Sequence, residues 1–169
     1  ISACLVGSEM CIRDSFQTIS IPEKITYGPK SILNFNDKTE DLVLQDANHV
    51  LYLVNAAGET VYTQKLSGPI VSDAFQIDFL KNGKLQLLLA TADQLYAIDR
   101  LGNSIPGFPV SLQNEKISTL NLVDYDNSRE YRYFLSSESG NLWLLDRNGK
   151  SLEGWSPICL LYTSDAADE

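Results

Sequence analysis

The sequence predicts an all-β fold built from a repeated unit of about 45 residues. Three observations support this fold class. A nine-residue motif occurs three times, at 51–59, 95–103 and 142–150. The first leucines of the three copies, Leu51, Leu95 and Leu142, are 44 and 47 residues apart. No window of the chain shows a sustained 3.6-residue apolar period, which indicates very little helix.

The motif reads leucine, aromatic, two apolar residues, Asx, two free positions and glycine. The apolar block is typical of a short buried strand. An Asx side chain accepts hydrogen bonds from the backbone two residues on and so starts a turn. The glycine supplies a positive φ that other residues resist. Each copy therefore predicts a strand, a tight turn and a second strand.

The likeness extends beyond the motif, and each unit predicts four strands. Asp78-Phe79 and Asp124-Tyr125 both precede polar hairpin loops. The second unit predicts strands at 70–80, 84–92, 94–100 and 104–110, and the third at 117–124, 130–137, 141–147 and 151–156. The first unit predicts strands at 42–46, 49–55 and 59–66, with an innermost strand around 31–36.

Four short antiparallel strands that recur at this period are typical of a propeller blade. The predicted fold is a β-propeller fragment of about three four-stranded antiparallel blades in an incomplete ring. The blades span about 30–67, 68–113 and 114–157 of a partial propeller at 16–158. A β-sandwich or a plain meander also contains short strands, but neither requires a motif at fixed spacing.

The units resemble the blades of the quinoprotein-like and FG-GAP-like propeller families. The likeness rests on Leu95–Asp99, Gly102 and the Pro-Gly-Phe-Pro-Val stretch at 106–110, and it covers about 30–157. The same stretch resembles bacterial cell-envelope propeller proteins. This resemblance implies a propeller fold, but such propellers serve many functions.

Both ends of the chain resemble translated sequencing-adapter oligonucleotides. Residues 5–14 and 159–168 back-translate to strings that share a reverse-complementary core, TGTGTATAAGAGAC and GTCTCTTATACACA. We therefore expect 1–15 and 159–169 to be foreign to the fold and 1–15 to be disordered. All three cysteines and the single methionine fall in these ends, so cysteine spacing says nothing about disulfides or zinc.

Composition argues against nucleic-acid binding. The two ends carry one arginine and five acidic residues, so the 13 basic and 22 acidic residues of the whole chain fall to 12 and 17. A mildly acidic surface offers no basic stripe for a phosphate backbone. No apolar run reaches the roughly 20 residues that a spanning helix needs.

The sequence indicates no catalytic residue and no cofactor site. His49 is the only histidine, so neither a triad nor a histidine-based metal site can be assembled, and a loop histidine is the plain interpretation. The glycines are spread over turns and do not form a phosphate loop. Tyr52, Tyr96 and Trp143 recur at one position of the repeat, where packing between blades is favoured over a ring of binding residues.

One loop carries a weak calcium candidate, Asp124, Asp126 and Ser128. Closely spaced oxygen ligands on a tight loop suit Ca²⁺, which takes six to eight oxygens. FG-GAP repeats use a related acidic loop, but here no glycine follows and Arg129 adds an opposing charge. A plain hairpin turn is the favoured interpretation.

The leading functional hypothesis is a non-catalytic module that binds a protein or glycan on a loop face, or a scaffold in a larger protein. Missing blades of the same chain are expected partners. The alternative is a fragment of a dehydrogenase that uses pyrroloquinoline quinone, whose cofactor ligands would lie in other blades. A WD-type propeller is disfavoured because neither Gly-His nor Trp-Asp occurs. A periplasmic, cell-envelope or secreted location is expected.

Overall fold

Short strands and turns make up the part of the chain described by the computed structural model, which covers residues 19–112, 114–152 and the backbone of 158–159. No helix occurs among these residues. The strands, in chain order, are β1 Ile25–Leu33, β2 Glu40–Asp46, β3 Val50–Val54, β4 Thr60–Lys65, β5 Phe75–Ile77, β6 Gln86–Ala90, β7 Leu95–Ile98, β8 Ile117–Val123, β9 Arg132–Ser137, β10 Asn141–Leu145 and β11 Ile158–Cys159.

The strands form three antiparallel sheets of successive neighbours, in the orders β1-β2-β3-β4, β5-β6-β7 and β11-β10-β9-β8. We call them sheets 1, 2 and 3. The sheets do not close into a ring, and together with the solved structures described below they establish a partial β-propeller. The predicted fold class is confirmed.

The repeated motif forms the third strand of each sheet and the turn that follows it. Asn55 Oδ1 accepts the backbone N–H groups of Ala57 and Glu59 at 3.0 and 2.9 Å, and Asp99 and Asp146 hold their turns in the same way. The turn glycines Gly58, Gly102 and Gly149 all have φ between 78° and 86°. The predicted Asx turns are therefore confirmed in all three units.

The apolar core lies between the sheets rather than within one of them. Sheet 2 is buried on both faces, so β6 reads Gln-Leu-Leu-Leu-Ala without the alternation of a half-exposed strand. Leu87 and Leu89 pack towards sheet 1, while Leu88 and Ala90 pack towards sheet 3. Because successive side chains point to opposite faces, one strand supplies two interfaces.

The first strands differ from their predicted bounds. The strand expected around 31–36 is β1, which starts earlier and shows register shifts near Tyr27. The strand expected at 70–80 is regular only over 75–77. Just before it, the Ser72 hydroxyl accepts the Ala90 N–H at 2.8 Å, so a side chain takes the place of a backbone partner.

The fourth strand expected at 104–110 is present only as two isolated bridges, Ile98–Ser104 and Leu95–Val110. The intervening segment contains Pro106 and Pro109, which have no N–H to donate to a ladder. In sheet 3, Ser151 bridges to Leu145, while 153–157 lie outside the described residues. Sheet 2 therefore has three regular strands instead of four.

The blade limits given above stay predictions, and so does the foreign origin of the ends. Residues 1–15 and 160–169 lie outside the described residues. The backbone of Cys159 pairs with Asn141 at the outer edge of sheet 3. Within the described part of the chain, no helix is long and apolar enough to cross a bilayer.

Candidate functional site

The β1–β2 hairpin and the β3–β4 turn lie at the same end of sheet 1, because antiparallel strands reverse direction at each connection. The same end of the other sheets carries the equivalent connections. We call this end the turn face, and it comprises 33–39, 55–59, 78–85, 99–103, 124–131 and 146–150. It contains the calcium candidate.

The structure places Asp124, Asp126 and Ser128 in one loop, but their oxygens serve the loop itself. The Ser128 hydroxyl donates to Asp126 Oδ1 at 2.6 Å. The Arg129 N–H donates to Asp124 Oδ2 at 3.0 Å, and the Asp124 Oδ1 atom is buried without a hydrogen-bond partner. The hydrogen bond from Ser128 holds the pKa of Asp126 below its usual value. This geometry is that of a hydrogen-bonded turn.

Ion pairs join the candidate loop to the neighbouring loop of sheet 2, and they bring two cationic side chains to the same place. The Arg129 guanidinium lies 2.7 Å from Asp78 Oδ2, and the Lys81 ammonium pairs with Glu130. The hydrogen bond from Lys81 lowers the pKa of Glu130. Among the described residues, no three His, Cys, Asp or Glu side chains form a group that could hold a metal ion. Calcium binding at this loop stays a prediction.

Exposed apolar side chains are concentrated on the turn face. Of the five large apolar side chains that are exposed in the described part, four lie at this end of the sheets: Leu33, Leu80, Leu101 and Tyr125, with exposures of 42, 53, 76 and 73%. Leu33 ends β1, whereas the others lie in loops. The fifth, Ile25, begins β1 at the opposite end. Sequence reasoning missed these residues, because single apolar residues in polar loops carry no periodic signal.

The opposite end of the sheets is held by a repeated polar cap. Asp46, Thr91 and Ser137 each end the second strand or directly follow it, and each is buried. Their side-chain oxygens accept backbone N–H groups across the hairpin, at 2.9 Å from Val50 to Asp46 and at 3.1 Å in the two other hairpins. The cap satisfies buried donors, which is a structural role.

The recurring aromatic residues belong to this structural set. The Tyr52 hydroxyl donates to Asp46 Oδ2 at 2.9 Å, and the Tyr96 hydroxyl donates to Gln94 at 2.6 Å. Trp143 donates its indole N–H to Glu115 Oε2 at 3.1 Å. Tyr96 also packs in the core cluster that joins sheets 1 and 2. The three aromatic residues therefore pack and hydrogen-bond within the fold.

A cleft of about 250 Å³ lies where the irregular fourth segment of sheet 2 meets sheet 3. Its walls include Val110, Leu112, Trp143 and Leu145. Val110 and Leu112 both pack in or against the core cluster between these sheets, so the cleft is a shallow extension of the junction. The sole histidine, His49, lies outside this cleft in the β2–β3 turn. Its backbone N–H donates to the backbone C=O of Asp46 at 3.0 Å.

No protein-family model matches the chain, and no curated protein matches it. Solved structures do match the chain in fold. The chain is similar to BBS1N in its crystal structure in complex with ARL6DN, with a TM-score of 0.59 and 16% identity over 79% of this chain and 43% of that one. It is also similar to BamB from Moraxella catarrhalis, with a TM-score of 0.52 and 12% identity over 80% of this chain and 36% of that one.

Both similar structures are β-propeller proteins. At these identities the likeness establishes the fold alone. The chain spans less than half the length of either structure that it matches.

Proposed function

We propose that the chain is part of a non-catalytic β-propeller module that binds a protein partner through its turn face. The observation that carries this proposal is the set of exposed leucines there, Leu33, Leu80 and Leu101. Exposed apolar side chains that cluster on one face mark interaction surfaces more often than scattered ones do. Three of the four exposed apolar side chains of this face are leucines, and apolar patches of this kind mark protein interaction sites.

The loops that carry these leucines are well suited to present them. Asp78 accepts the N–H groups of Asn82 and Gly83 at 3.0 and 2.9 Å, which fixes the loop that holds Leu80. Asp99 accepts the Leu101 N–H at 2.8 Å. Loops held in one conformation lose little entropy when a partner binds. The complex of BBS1N with ARL6DN shows that a similar propeller binds a protein.

A cross-linking capture experiment tests this surface. Proteins cross-linked to the whole chain should be lost when Leu80→Ser and Leu101→Ser are combined. Ile25→Ser is the matched control, because it removes an exposed apolar side chain from the opposite end. The proposal is wrong if the double variant and the control retain the same partners as the unaltered chain.

The dehydrogenase alternative has its own test. Pyrroloquinoline quinone and Ca²⁺ are added to the longest available form of the protein, and alcohol oxidation is assayed with an artificial electron acceptor. We expect no turnover above the protein-free control. Turnover that depends on both additions would replace the binding proposal with an enzymatic one.

A periplasmic, cell-envelope or secreted setting is part of the same proposal. It rests on the resemblance of the 106–110 stretch to cell-envelope propellers. Fractionation of cells that express the parent gene tests it, and recovery in the cytoplasmic fraction alone would contradict it.

A further inference from the structure

Sheets 2 and 3 each contact the preceding sheet through arginine side chains. Arg100, in the turn after β7, lies 2.9 Å from the buried Asp41 Oδ2 of sheet 1. Arg147, at the same motif position after β10, stacks over the Phe79 ring of sheet 2, with its guanidinium carbon 5.3 Å from the ring centroid. Arg129, in the β8–β9 loop, pairs with Asp78 of sheet 2. Arginine is thus the shared element of both junctions.

Asp78-Phe79 is the acceptor for two of these arginines, and the chain carries a second copy of it. Asp124-Tyr125 follows β8 as Asp78-Phe79 follows β5. In both loops the aspartate Oδ2 accepts the backbone N–H five residues on, from Gly83 at 2.9 Å and from Arg129 at 3.0 Å. The two loops therefore present a carboxylate and an aromatic ring in equivalent positions.

The second copy differs from the first in what covers it. The Phe79 ring is only 8% exposed, because Arg147 and Phe108 pack against it. Tyr125 is 73% exposed. Asp78 Oδ2 has an arginine partner as well as its N–H donor, whereas the described residues give Asp124 Oδ2 the N–H donor alone. Two guanidinium groups complete the first copy, Arg129 at the carboxylate and Arg147 over the ring, and the equivalent of Arg147 is the one that would lie over Tyr125.

We propose that Asp124 and Tyr125 form a docking site for an arginine side chain. This arginine is carried by the turn that follows the third strand of a further blade. The face continues the junction that sheets 2 and 3 already build, where Arg129 and Arg147 meet Asp78-Phe79, and this continuity identifies a further blade as the partner. The acidic side chains of Asp124 and Asp126 complement a positive charge. This inference concerns assembly, and it does not depend on the leucines of the turn face.

A second copy of this chain is a poorer occupant. If sheet 1 of one molecule packed on sheet 3 of another, its β3–β4 turn would face Asp124-Tyr125. That turn has Ala56 where the other sheets have Arg100 and Arg147. The first sheet therefore cannot supply the arginine, and a further blade with an Asx-Arg-x-Gly turn can.

The test uses the whole chain and a synthetic hairpin peptide with the sequence of residues 141–152, which carries the Arg147 turn. Binding is followed by the backbone amide NMR shifts of the 124–131 loop at millimolar peptide, a signal that every protein variant retains. We expect saturable shifts, at least fivefold weaker binding for the peptide with Arg147→Ala, and a similar loss for the protein variant Tyr125→Ala. Tyr125→Phe keeps an aromatic face and should bind within twofold of the unaltered chain.

Two results would overturn the inference. Equal binding of the arginine and alanine peptides would show that the guanidinium is not recognised. A concentration-dependent dimer in sedimentation that is lost in Tyr125→Ala would show that a second copy occupies this face. Because Leu80 and Leu101 are unchanged in every variant here, failure of this test leaves the proposed partner surface standing.

Discussion

The two junctions between neighbouring sheets differ in the chemistry of the side chains that cross them. Between sheets 1 and 2, the contacts that cross the junction include two side-chain amides. Gln45 donates to Gly68 O and accepts the Ile70 N–H, both at 3.0 Å. Gln76 bonds the N–H and C=O of Leu33 at 2.8 and 2.7 Å. Each side-chain amide thus donates to one backbone C=O and accepts from one backbone N–H, as the backbone of a paired strand does.

Between sheets 2 and 3, the contacts that cross the junction include aromatic rings. Phe108 packs edge-to-face against Phe79 and Tyr133, with ring centroids 6.1 and 6.3 Å apart. Arg147 covers the other side of Phe79. Both junctions have an apolar core, and the difference teaches that side-chain amides can supplement it in one junction and aromatic rings in the other. Four predictions test this contrast.

Phe108→Ala should have the largest effect, because it removes the centre of the aromatic cluster. Truncating a buried phenylalanine costs about 3–5 kcal/mol of unfolding free energy, and Phe108 is buried. Urea unfolding of the unaltered chain and the variant measures the difference. Tyr125→Ala removes an exposed aromatic ring and should change stability by no more than about 0.5 kcal/mol. Similar losses for both variants would show that the cluster does not hold the second junction.

Gln45→Leu should come next, because it leaves the buried Gly68 C=O and Ile70 N–H without partners. Such orphaned groups cost about 1–3 kcal/mol each, so we expect a loss of about 2–3 kcal/mol. Gln76→Leu is the matched control, because it breaks the same two kinds of bond in a more exposed place. There water can replace the amide, and the expected loss is below about 1 kcal/mol. Equal losses would contradict the role of burial in this junction.

The contrast between the junctions also explains how far the sequence could be interpreted. The Asx turns and the apolar third strands were predictable, because residues such as Asp99 and Gly102 are tied to one local backbone geometry. The glutamine clamps were not, because an amide at Gln45 or Gln76 has no preferred partner until distant segments are brought together. The segment at 104–110 is predicted as a strand because it aligns with 151–156 in the repeat, but Pro106 and Pro109 have no N–H to donate to a ladder.

The candidate site divides in the same way. Asp124, Asp126 and Ser128 were visible in sequence as spaced oxygen ligands, but their hydrogen bonds to one another and to Arg129 depend on the folded loop. The Asn34-Phe35 pair is a third copy of the Asx-aromatic element, placed after β1 as Asp78-Phe79 is placed after β5. The sequence does not indicate this copy, because its hairpin loop differs in sequence and length from the other two.

Acid sensitivity should distinguish the Asp46 cap from the other two hairpin caps, and this effect on stability is smaller than the two above. Burial raises the pKa of Asp46, but hydrogen bonds from Val50, Tyr52 and Asn48 outweigh it, so the pKa lies below the usual 3.8. A lowered pKa gives stability that is complete above pH 3.8 and is lost as the pH falls through the folded value. Thr91 and Ser137, the other caps, do not ionise in this range.

The check is to compare melting temperatures of the unaltered chain and of Asp46→Asn between pH 7 and pH 2.5. The amide keeps an acceptor for the backbone N–H groups but cannot ionise. We expect the unaltered chain to lose more stability on acidification, so that the two plots of melting temperature against pH converge at low pH. Curves that stay parallel over the whole range would show that Asp46 does not contribute acid sensitivity.

The smallest effect concerns calcium at the loop of Asp124, Asp126 and Ser128. A ligand that binds only the folded state stabilises it by RT ln(1 + [L]/Kd), which is about 1.4 kcal/mol at tenfold excess over Kd. Here the oxygens already serve as acceptors, and Arg129 lies in the same loop. We therefore expect 10 mM Ca²⁺ to change the free energy of unfolding no more than 10 mM Mg²⁺ does.

The decisive comparison pairs this titration with Asp126→Asn, because the variant removes one charge and leaves the turn hydrogen bond from Ser128 possible. A calcium-specific gain of about 1 kcal/mol or more that disappears in Asp126→Asn would place a cation in the loop. The second junction would then be held by an ion as well as by aromatic rings. Arg129 lies in the same loop and would be repelled by the ion, so its pairing with Asp78 should weaken.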